Sequence, residues 1–331
     1  MDILTSIERW PLKEPFSISR HTFLDSLVVT ATITDIGGRV GVGECEPHGW
    51  EDDIGLQQMD AAGCVAGRSS SPAWLQGATR DNIVDRLPRN PLRNGIDCAL
   101  WDLEAKMRGL RAHELAGTTA APIPIMPTLG LNPPEVMGQR AAELTGAAWV
   151  KVKLGAKDGL DVQRLEAIAA SLPGISILVD PNGGWSRDTL VAMMPICQRL
   201  GVRIIEQPMV PELNDQMPKP IGDILFFADE SCLDRGSLPV VREHFQGVNI
   251  KLDKSGGLTE SLALRRAAES QGLGVMVGMM SGTSLAVAPA FVLAQGLEVV
   301  DLEVGYMTRD RESPMVIDNF RLQPPAAALW G

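Results

Sequence analysis

Between residues 122 and 303 the chain repeats one pattern eight times: a short apolar run of strand-forming residues, followed in most cases by an amphipathic stretch of helix length. The runs cover 123–130, 149–154, 175–180, 202–206, 224–229, 247–252, 273–279 and 299–303. Neighbouring parallel strands must be joined by a crossover, and a helix is the usual one, so this alternation points to a parallel α/β sheet. Eight strands, seven of them followed by a helix-like segment, fit a (β/α)8-type barrel, a modified TIM barrel whose last helix is missing or altered. The competing arrangement is an open doubly wound sheet. Its nucleotide-binding version carries Gly-x-Gly-x-x-Gly after a strand, and no such motif follows any of these runs.

A barrel of this kind takes about 250 residues, so a chain of 331 residues has room for one smaller unit. Residues 1–48 alternate like antiparallel strands, with a turn at Asp35-Ile36-Gly37-Gly38. Residues 52–117 read as helical; Ile96, Leu100, Leu103, Met107 and Leu110 recur at helix spacing, and Gly109 and Gly117 mark ends. The last 28 residues carry little helix signal and are expected to return to the first unit. The expected division is therefore an α+β capping domain over 1–121, the barrel over 122–303, and a segment 304–331 that returns to the cap. The proline-rich stretch 121–127 is the natural boundary.

Composition excludes several partners. The formal net charge is −11 and no Lys/Arg-rich run occurs, which argues against a nucleic-acid or anionic-membrane partner, since both need a basic face. The first residues show no basic segment leading into an apolar one, and no window is long enough to span a bilayer, so a cytoplasmic location is expected. Cys45, Cys64, Cys98, Cys197 and Cys232 are scattered with no Cys-x-x-Cys spacing; they read as reduced packing residues, neither zinc ligands nor a disulfide framework. His48, in a polar loop, reads either as a solvated residue or as a ligand contact.

In a βα barrel the reacting groups sit at the carboxyl ends of the strands. Here those ends are consistently ionisable: Lys151 and Lys153 on the second run, Asp180 on the third, Glu206 on the fourth, Asp229 and Glu230 on the fifth, Lys251 on the sixth, Asp301 and Glu303 on the eighth. Asp180, Glu206 and Asp229 come from three neighbouring strands. Three carboxylates in an apolar mouth repel one another, and a hard divalent cation with oxygen ligands, Mg²⁺ or else Mn²⁺, relieves that repulsion. The alternative for each carboxylate singly is a cap on the following helix. Lys151 and Lys153, two apart, share the inner face of their strand. Lys251 lies across the barrel from them, so a carbon acid held between could lose a proton to one amine and regain one from the other. Crowded cations and a nearby metal are expected to lower the lysine pKa values. The alternative for any one lysine is a salt-bridged structural residue.

The motifs Lys151-Val152-Lys153, Val179-Asp180-Pro181-Asn182, Ile205-Glu206-Gln207-Pro208, Ala228-Asp229-Glu230-Ser231 and the run 249–257 (Asn-Ile-Lys-Leu-Asp-Lys-Ser-Gly-Gly), with 43–47 and 99–103 before them, resemble the muconate-lactonizing branch of the enolase superfamily. Within it the dipeptide epimerases, typified by L-Ala-D/L-Glu epimerase, are most similar. The resemblance implies that Asp180, Glu206 and Asp229 bind Mg²⁺. It implies that Lys153 and Lys251 are the acid/base pair of a 1,1-proton transfer through an enediolate, and that Lys151 holds the substrate carboxylate. Members of this superfamily are often homo-oligomers.

Asp301 and Glu303 lie on one face of the eighth strand, where they would attract an ammonium group and repel an anionic acyl tail. The dipeptide epimerases resemble this with Asp-x-Asp, which grips the free amino terminus; here the second acid is one methylene longer. The alternative is that one of the two pairs with Lys151. Arg20, in the segment 16–25, is a candidate partner for the side-chain carboxylate of a glutamate in second position, while the acidic segment 46–53 with Trp50 suits a cationic or apolar residue instead. The expected substrate is a small molecule, a dipeptide. Rival reactions are N-succinyl amino acid racemisation, o-succinylbenzoate synthesis and muconate cycloisomerisation, and, more distantly, a Schiff-base aldolase.

Overall fold

The computed structural model describes residues 1–19, 21–47 and 54–331. The amino-terminal sheet is antiparallel: β1 (Asp2–Ser17), β2 (Thr22–Thr34), β3 (Val40–Cys45) and the short β4 (Ser69–Ser70) lie in the order β3-β2-β1-β4. The turn between β2 and β3 falls where expected. Asp35 builds it by accepting the amides of Gly37 and Arg39 at 2.8 and 2.9 Å.

The helix Pro91–Arg108 packs on this sheet. Asn90 caps it by accepting the Arg93 amide at 2.8 Å, Pro91 fills the first turn, and Gly109 ends it. Gly43 on β3 is required by the closeness of the packing, since a Cβ there would stand 2.1 Å from the Gly95 carbonyl oxygen. Ile96, Leu100 and Leu103 are buried as their spacing predicts. Met107 and Leu110 are not, because the helix ends at Arg108 and both lie in or beyond its last turn. The helical reading of 52–117 holds only in pieces, at Ile54–Ala61, Ile83–Arg86, Pro91–Arg108 and Ala112–Leu115. Gly63, Gly67, Pro72 and Gly77 interrupt the rest.

The run 123–130 is not one strand. Ile123–Pro124 forms β5, and only Thr128–Leu129 (β6) enters the barrel, because Pro124 and Pro127 have no amide to give a ladder. The barrel continues through β7 (Trp149–Lys153), β8 (Ser176–Asp180), β9 (Val202–Glu206), β10 (Leu225–Ala228), β11 (Gly247–Ile250), β12 (Gly274–Gly278) and β13 (Val300–Asp301). All eight lie side by side in chain order with parallel pairing. The Met126 amide, donating to the Val300 carbonyl at 2.7 Å, brings the two ends of the sheet together. An α-helix follows each strand except β9 and β13. After β9, Pro208, Pro211, Pro218 and Pro220 leave only a 3-10 turn, Pro211–Gln216, where a full helix was expected.

Beyond β13 the tail bridges Met307 to Leu12 of β1 and forms β14 (Ile317–Asp318) and β15 (Arg321–Leu322), which pairs with β5. Trp330 then donates its indole N–H to the Cys98 carbonyl inside the cap helix at 3.1 Å. All five cysteines are buried free thiols. No helix among the described residues is long and apolar enough to cross a membrane.

Side chains alternate along each barrel strand, so every second residue points inward. Met126, Leu178, Ile204, Phe227 and Met276, with Trp149 and Val299 beside them, form one apolar cluster inside the barrel. Two residues further along the same faces stand Thr128, Asp180, Glu206, Asp229, Gly278, Lys151 and Asp301. The interior is thus an apolar plug below and a charged rim above. The outward residues, among them Val150, Val152, Ile177, Val179, Ile205, Phe226, Val248 and Ile250, pack into the large core shared with the helices.

Candidate active site

The rim brings together the acids and amines that the sequence singled out. Asp180, Glu206 and Asp229 are buried, and one oxygen from each lies within 4.8 Å of the others. Lys151 Nζ reaches Asp180 Oδ2 at 3.0 Å, Glu206 Oε2 at 2.8 Å and Asp301 Oδ2 at 2.7 Å. Lys153 donates to Asp180 Oδ2 at 2.6 Å and to Asn182 Oδ1 at 3.0 Å. Lys251 donates to Asp229 Oδ2 at 2.8 Å. β7 and β11, which carry these two lysines to the rim, are four places apart in a ring of eight, so the amines face each other across the mouth.

Burial disfavours charge on Asp180, Glu206, Asp229, Lys151 and Lys251, and the charges around each decide the outcome. Burial and the neighbouring Asp180 charge push Glu206 up to about 7. Asp180 is buried too, but Lys153 and Lys151 hold it down at about 2, and Lys251 and Lys254 hold Asp229 well below its ordinary value against the same penalty. Lys151 and Lys251 are not lowered as crowding among cations led us to expect. Desolvation acts in that direction, but Asp301, Glu206 and Asp180 around Lys151, and Asp229 beside Lys251, outweigh it and raise both.

The donor set fits a hard divalent cation. It is all carboxylate, it is closely spaced, and the buried Glu206 Oε2 has, among the described residues, only the ion pair with Lys151 at 2.8 Å and no well-aligned hydrogen-bond donor. Backbone geometry supports the same cluster. Asn182 and Gln207, directly after β8 and β9, adopt left-handed φ of 50° and 33°, which costs non-glycine residues of order 1–3 kcal/mol each. The strain places their polar groups: the Asn182 amide donates to Asp180 Oδ1 at 2.9 Å, and Gln207 Oε1 accepts the Asp229 and Ser231 amides at 3.1 and 3.0 Å.

Two further residues, Asn249 and Lys254, belong to the site, and strand-end position alone does not single them out. Asn249 donates to Glu206 Oε1 at 2.7 Å. Lys254 donates to Asp229 Oδ1 at 2.5 Å and also to the Asp229 carbonyl. The signal for Lys254 was its spacing from Lys251: three residues apart at a helix start, Leu252–Ser255, both side chains fall on the side of Asp229.

At the eighth strand the two acids differ. Asp301 is engaged twice, accepting from Lys151 on Oδ2 and from the Thr128 hydroxyl on Oδ1 at 3.1 Å. Glu303 accepts the Thr128 amide on Oε1 at 2.7 Å and has no second protein donor among the described residues. Its burial, followed by the Asp301 charge, raises its pKa to about 7. The tip of the β1–β2 hairpin meets the loop after β6, where the Leu131 amide donates to Ser17 O at 2.9 Å. Arg20 and the stretch 48–53, with His48 and Trp50, lie outside the described residues.

Two family models cover most of the chain: the mandelate racemase / muconate lactonizing enzyme N-terminal domain over residues 1–117, and the enolase C-terminal domain-like model over 136–328. The L-Ala-D/L-Glu epimerase of Escherichia coli strain K12 is 34% identical over 299 residues, which span 89% of this chain and 91% of that protein. An enolase family member from Agrobacterium tumefaciens with homology to dipeptide epimerases, solved with bound sodium and L-Ala-L-Glu, superposes with a TM-score of 0.90 at 35% identity, over 100% of this chain and 99% of that one. A dipeptide epimerase from Methylococcus capsulatus, complexed with Mg and the dipeptide L-Arg-D-Lys, gives a TM-score of 0.83 at 27% identity, over 97% and 96% of the two chains. With both domains matched and the barrel rim arranged as described, this chain belongs to the mandelate racemase / muconate lactonizing enzyme family of the enolase superfamily.

Proposed function

We propose that this protein is a Mg²⁺-dependent dipeptide epimerase that inverts the α-carbon of the carboxyl-terminal residue. The observation that carries the reading is the pair Lys153 and Lys251, facing each other across a mouth that also holds a three-carboxylate cluster and the half-engaged Glu303. In this reading residues 1–121 and 304–331 cap a barrel formed by 122–303.

Lys153 and Lys251 approach the α-carbon from opposite faces. One, as the neutral amine, takes the proton; the other, as ammonium, delivers a proton to the opposite face, and the roles exchange for the other epimer, a divalent cation on Asp229 being what would offset the negative charge that otherwise keeps Lys251 protonated. Asp180 and Asp229 orient the two amines. Lys151 keeps its proton among three carboxylates and stands as a fixed positive charge beside the substrate carboxylate. Bound by Asp180, Glu206 and Asp229, Mg²⁺ would add electrostatic stabilisation of the negative charge that builds on that carboxylate as the proton leaves.

Glu303 receives the free α-ammonium, with Asp301 adding negative charge behind it. That polarity disfavours N-succinyl and other anionic acyl substrates. L-Ala-L-Glu is the first substrate to try, supported by the Escherichia coli relative, and Arg20 is the cation we assign to the glutamate side chain. Incubation with Mg²⁺ and a set of L,L-dipeptides in D₂O tests the reading: deuterium should enter one α-position of a free-amino dipeptide and fail to do so with EDTA. Exchange confined to N-acyl amino acids would replace it with the racemase.

A further inference from the structure

The wall of the mouth between β12 and β13 is set by groups that the proton transfer does not use. Past β12 the chain runs Met279-Met280-Ser281-Gly282-Thr283 before the helix Ser284–Leu293 begins. Met279, Met280 and Ser281 are half-buried at the rim. Met279 Sδ touches the Glu303 amide at 3.4 Å, so the wall stands directly against the strand end that carries the ammonium acceptor.

Two clamps hold this segment, one from each neighbour of the barrel. At its end Glu44 of β3, wholly buried, accepts the Thr283 amide at 2.7 Å and hydroxyl at 2.6 Å, and Arg311 from the tail neutralises it at 2.6 Å. In the middle, the Tyr306 hydroxyl accepts from the Gly282 amide at 2.7 Å and donates to the Gly282 carbonyl at 2.8 Å. A single hydroxyl that engages both backbone groups of one residue fixes the peptide planes on either side of it. Gly282 itself fits closely, since a Cβ there would fall 2.6 Å from Ala286 Cβ. Tyr306 is anchored in turn to the cap: its carbonyl accepts the Lys13 amide at 2.9 Å, and its ring joins the cluster of Trp10, Val28 and Met307.

We propose that Tyr306 is a positioning residue for substrate selection: its hydroxyl holds the 279–282 wall against Glu303 and so sets the room left for the side chain of the dipeptide's first residue. The proposal rests on the dipeptide reading above. Methionines are soft, adaptable wall residues, so without the clamp the same wall would give way to a bulkier side chain.

The test is Tyr306→Phe, which keeps the ring and removes the hydroxyl, assayed by deuterium exchange on Gly-, Ala-, Val- and Leu-L-Glu. KM for L-Ala-L-Glu should rise about fivefold or more with kcat much less affected, and the preference for Ala over Leu should fall about tenfold. An unchanged KM with an unchanged preference overturns the proposal, and so does an equal loss of rate on all four dipeptides. Because the chain contains one tyrosine, 3-fluorotyrosine labelling of the full chain gives a single ¹⁹F resonance that does not depend on the variant folding. That resonance should move when L-Ala-L-Glu saturates the Mg²⁺-loaded protein, and a stationary resonance counts against the clamp. If the unaltered protein exchanges none of the dipeptides, the dipeptide reading fails and takes this proposal with it; if it exchanges them and Tyr306→Phe matches it, only the proposal fails.

Discussion

Lys151 Nζ and Asp301 Oδ2 stand 2.7 Å apart and tie β7 to β13 across the intervening β6. The pairing divides the work of the two acids on the eighth strand. Asp301 is a structural counter-ion with a long-range charge, and Glu303 is the acid with a coordination position to offer.

Glu303→Gln should therefore raise KM for a free-amino dipeptide by about tenfold or more, in keeping with the 1.5–3 kcal/mol of a hydrogen bond to a charged group. The pH profile gives a sharper check. In the free enzyme Glu303 is held near 7, above its ordinary value, so it is neutral below that pH and charged above it. The log of kcat/KM should rise with pH up to about 7 on this account, and that limb should be missing in Glu303→Gln. A profile identical in the two proteins would count against the role.

Lys153→Ala and Lys251→Ala should each lower epimerisation by about a thousandfold or more. Each variant keeps one amine, which can still remove the proton from its own face. Deuterium should thus enter one epimer only, without inversion, and the two variants should choose opposite epimers. Equal exchange of both epimers by either variant would rule out the two-base arrangement.

Glu206→Gln should weaken Mg²⁺ binding measured calorimetrically by at least about tenfold, since it removes one of three anionic ligands. Its effect on the metal-free protein has a definite sign. Glu206 holds its proton up to about 7 when folded, against an ordinary value of 4.5. The folded state therefore binds more protons than the unfolded chain between those limits, and stability falls as pH rises through the window. Metal-free Glu206→Gln should lose less stability than the parent between pH 5 and 7.5 in urea titrations; a steeper loss would contradict the assignment.

Arg311→Leu should destabilise the fold by about 3 kcal/mol, because it leaves the fully buried Glu44 carboxylate without its cation. Adding Glu44→Gln should restore part of that loss. Thermal or urea unfolding of the single and double variants, arranged as a double-mutant cycle, measures the coupling; simple additivity would show that the pair is not coupled.

The barrel and its rim were legible because reacting groups stand at the carboxyl ends of barrel strands, which singles out Asp180, Glu206 and Asp229, and because a strand presents every second residue to one side, which puts Lys151 with Lys153 and Asp301 with Glu303. Three features were not. Pro124 and Pro127 break the first strand, and their missing amides matter only once a partner strand is known. Lys254 returns to Asp229 through one helical turn, a relation that strand periodicity does not carry. The lysine pKa values depend on a balance between burial and several carboxylates, and the number of acids within reach of each amine is a property of the closed ring.

The plug of Met126, Leu178, Ile204, Phe227 and Met276 shuts the barrel beneath the charged rim. A vessel sealed at its base has a single doorway, and entry and exit must take turns there. Both epimers leave by the route that the next molecule needs, so release of one must precede entry of the next. Changes to the residues around that doorway should therefore act on the forward and reverse directions together, leaving the equilibrium between epimers where the two dipeptides themselves set it.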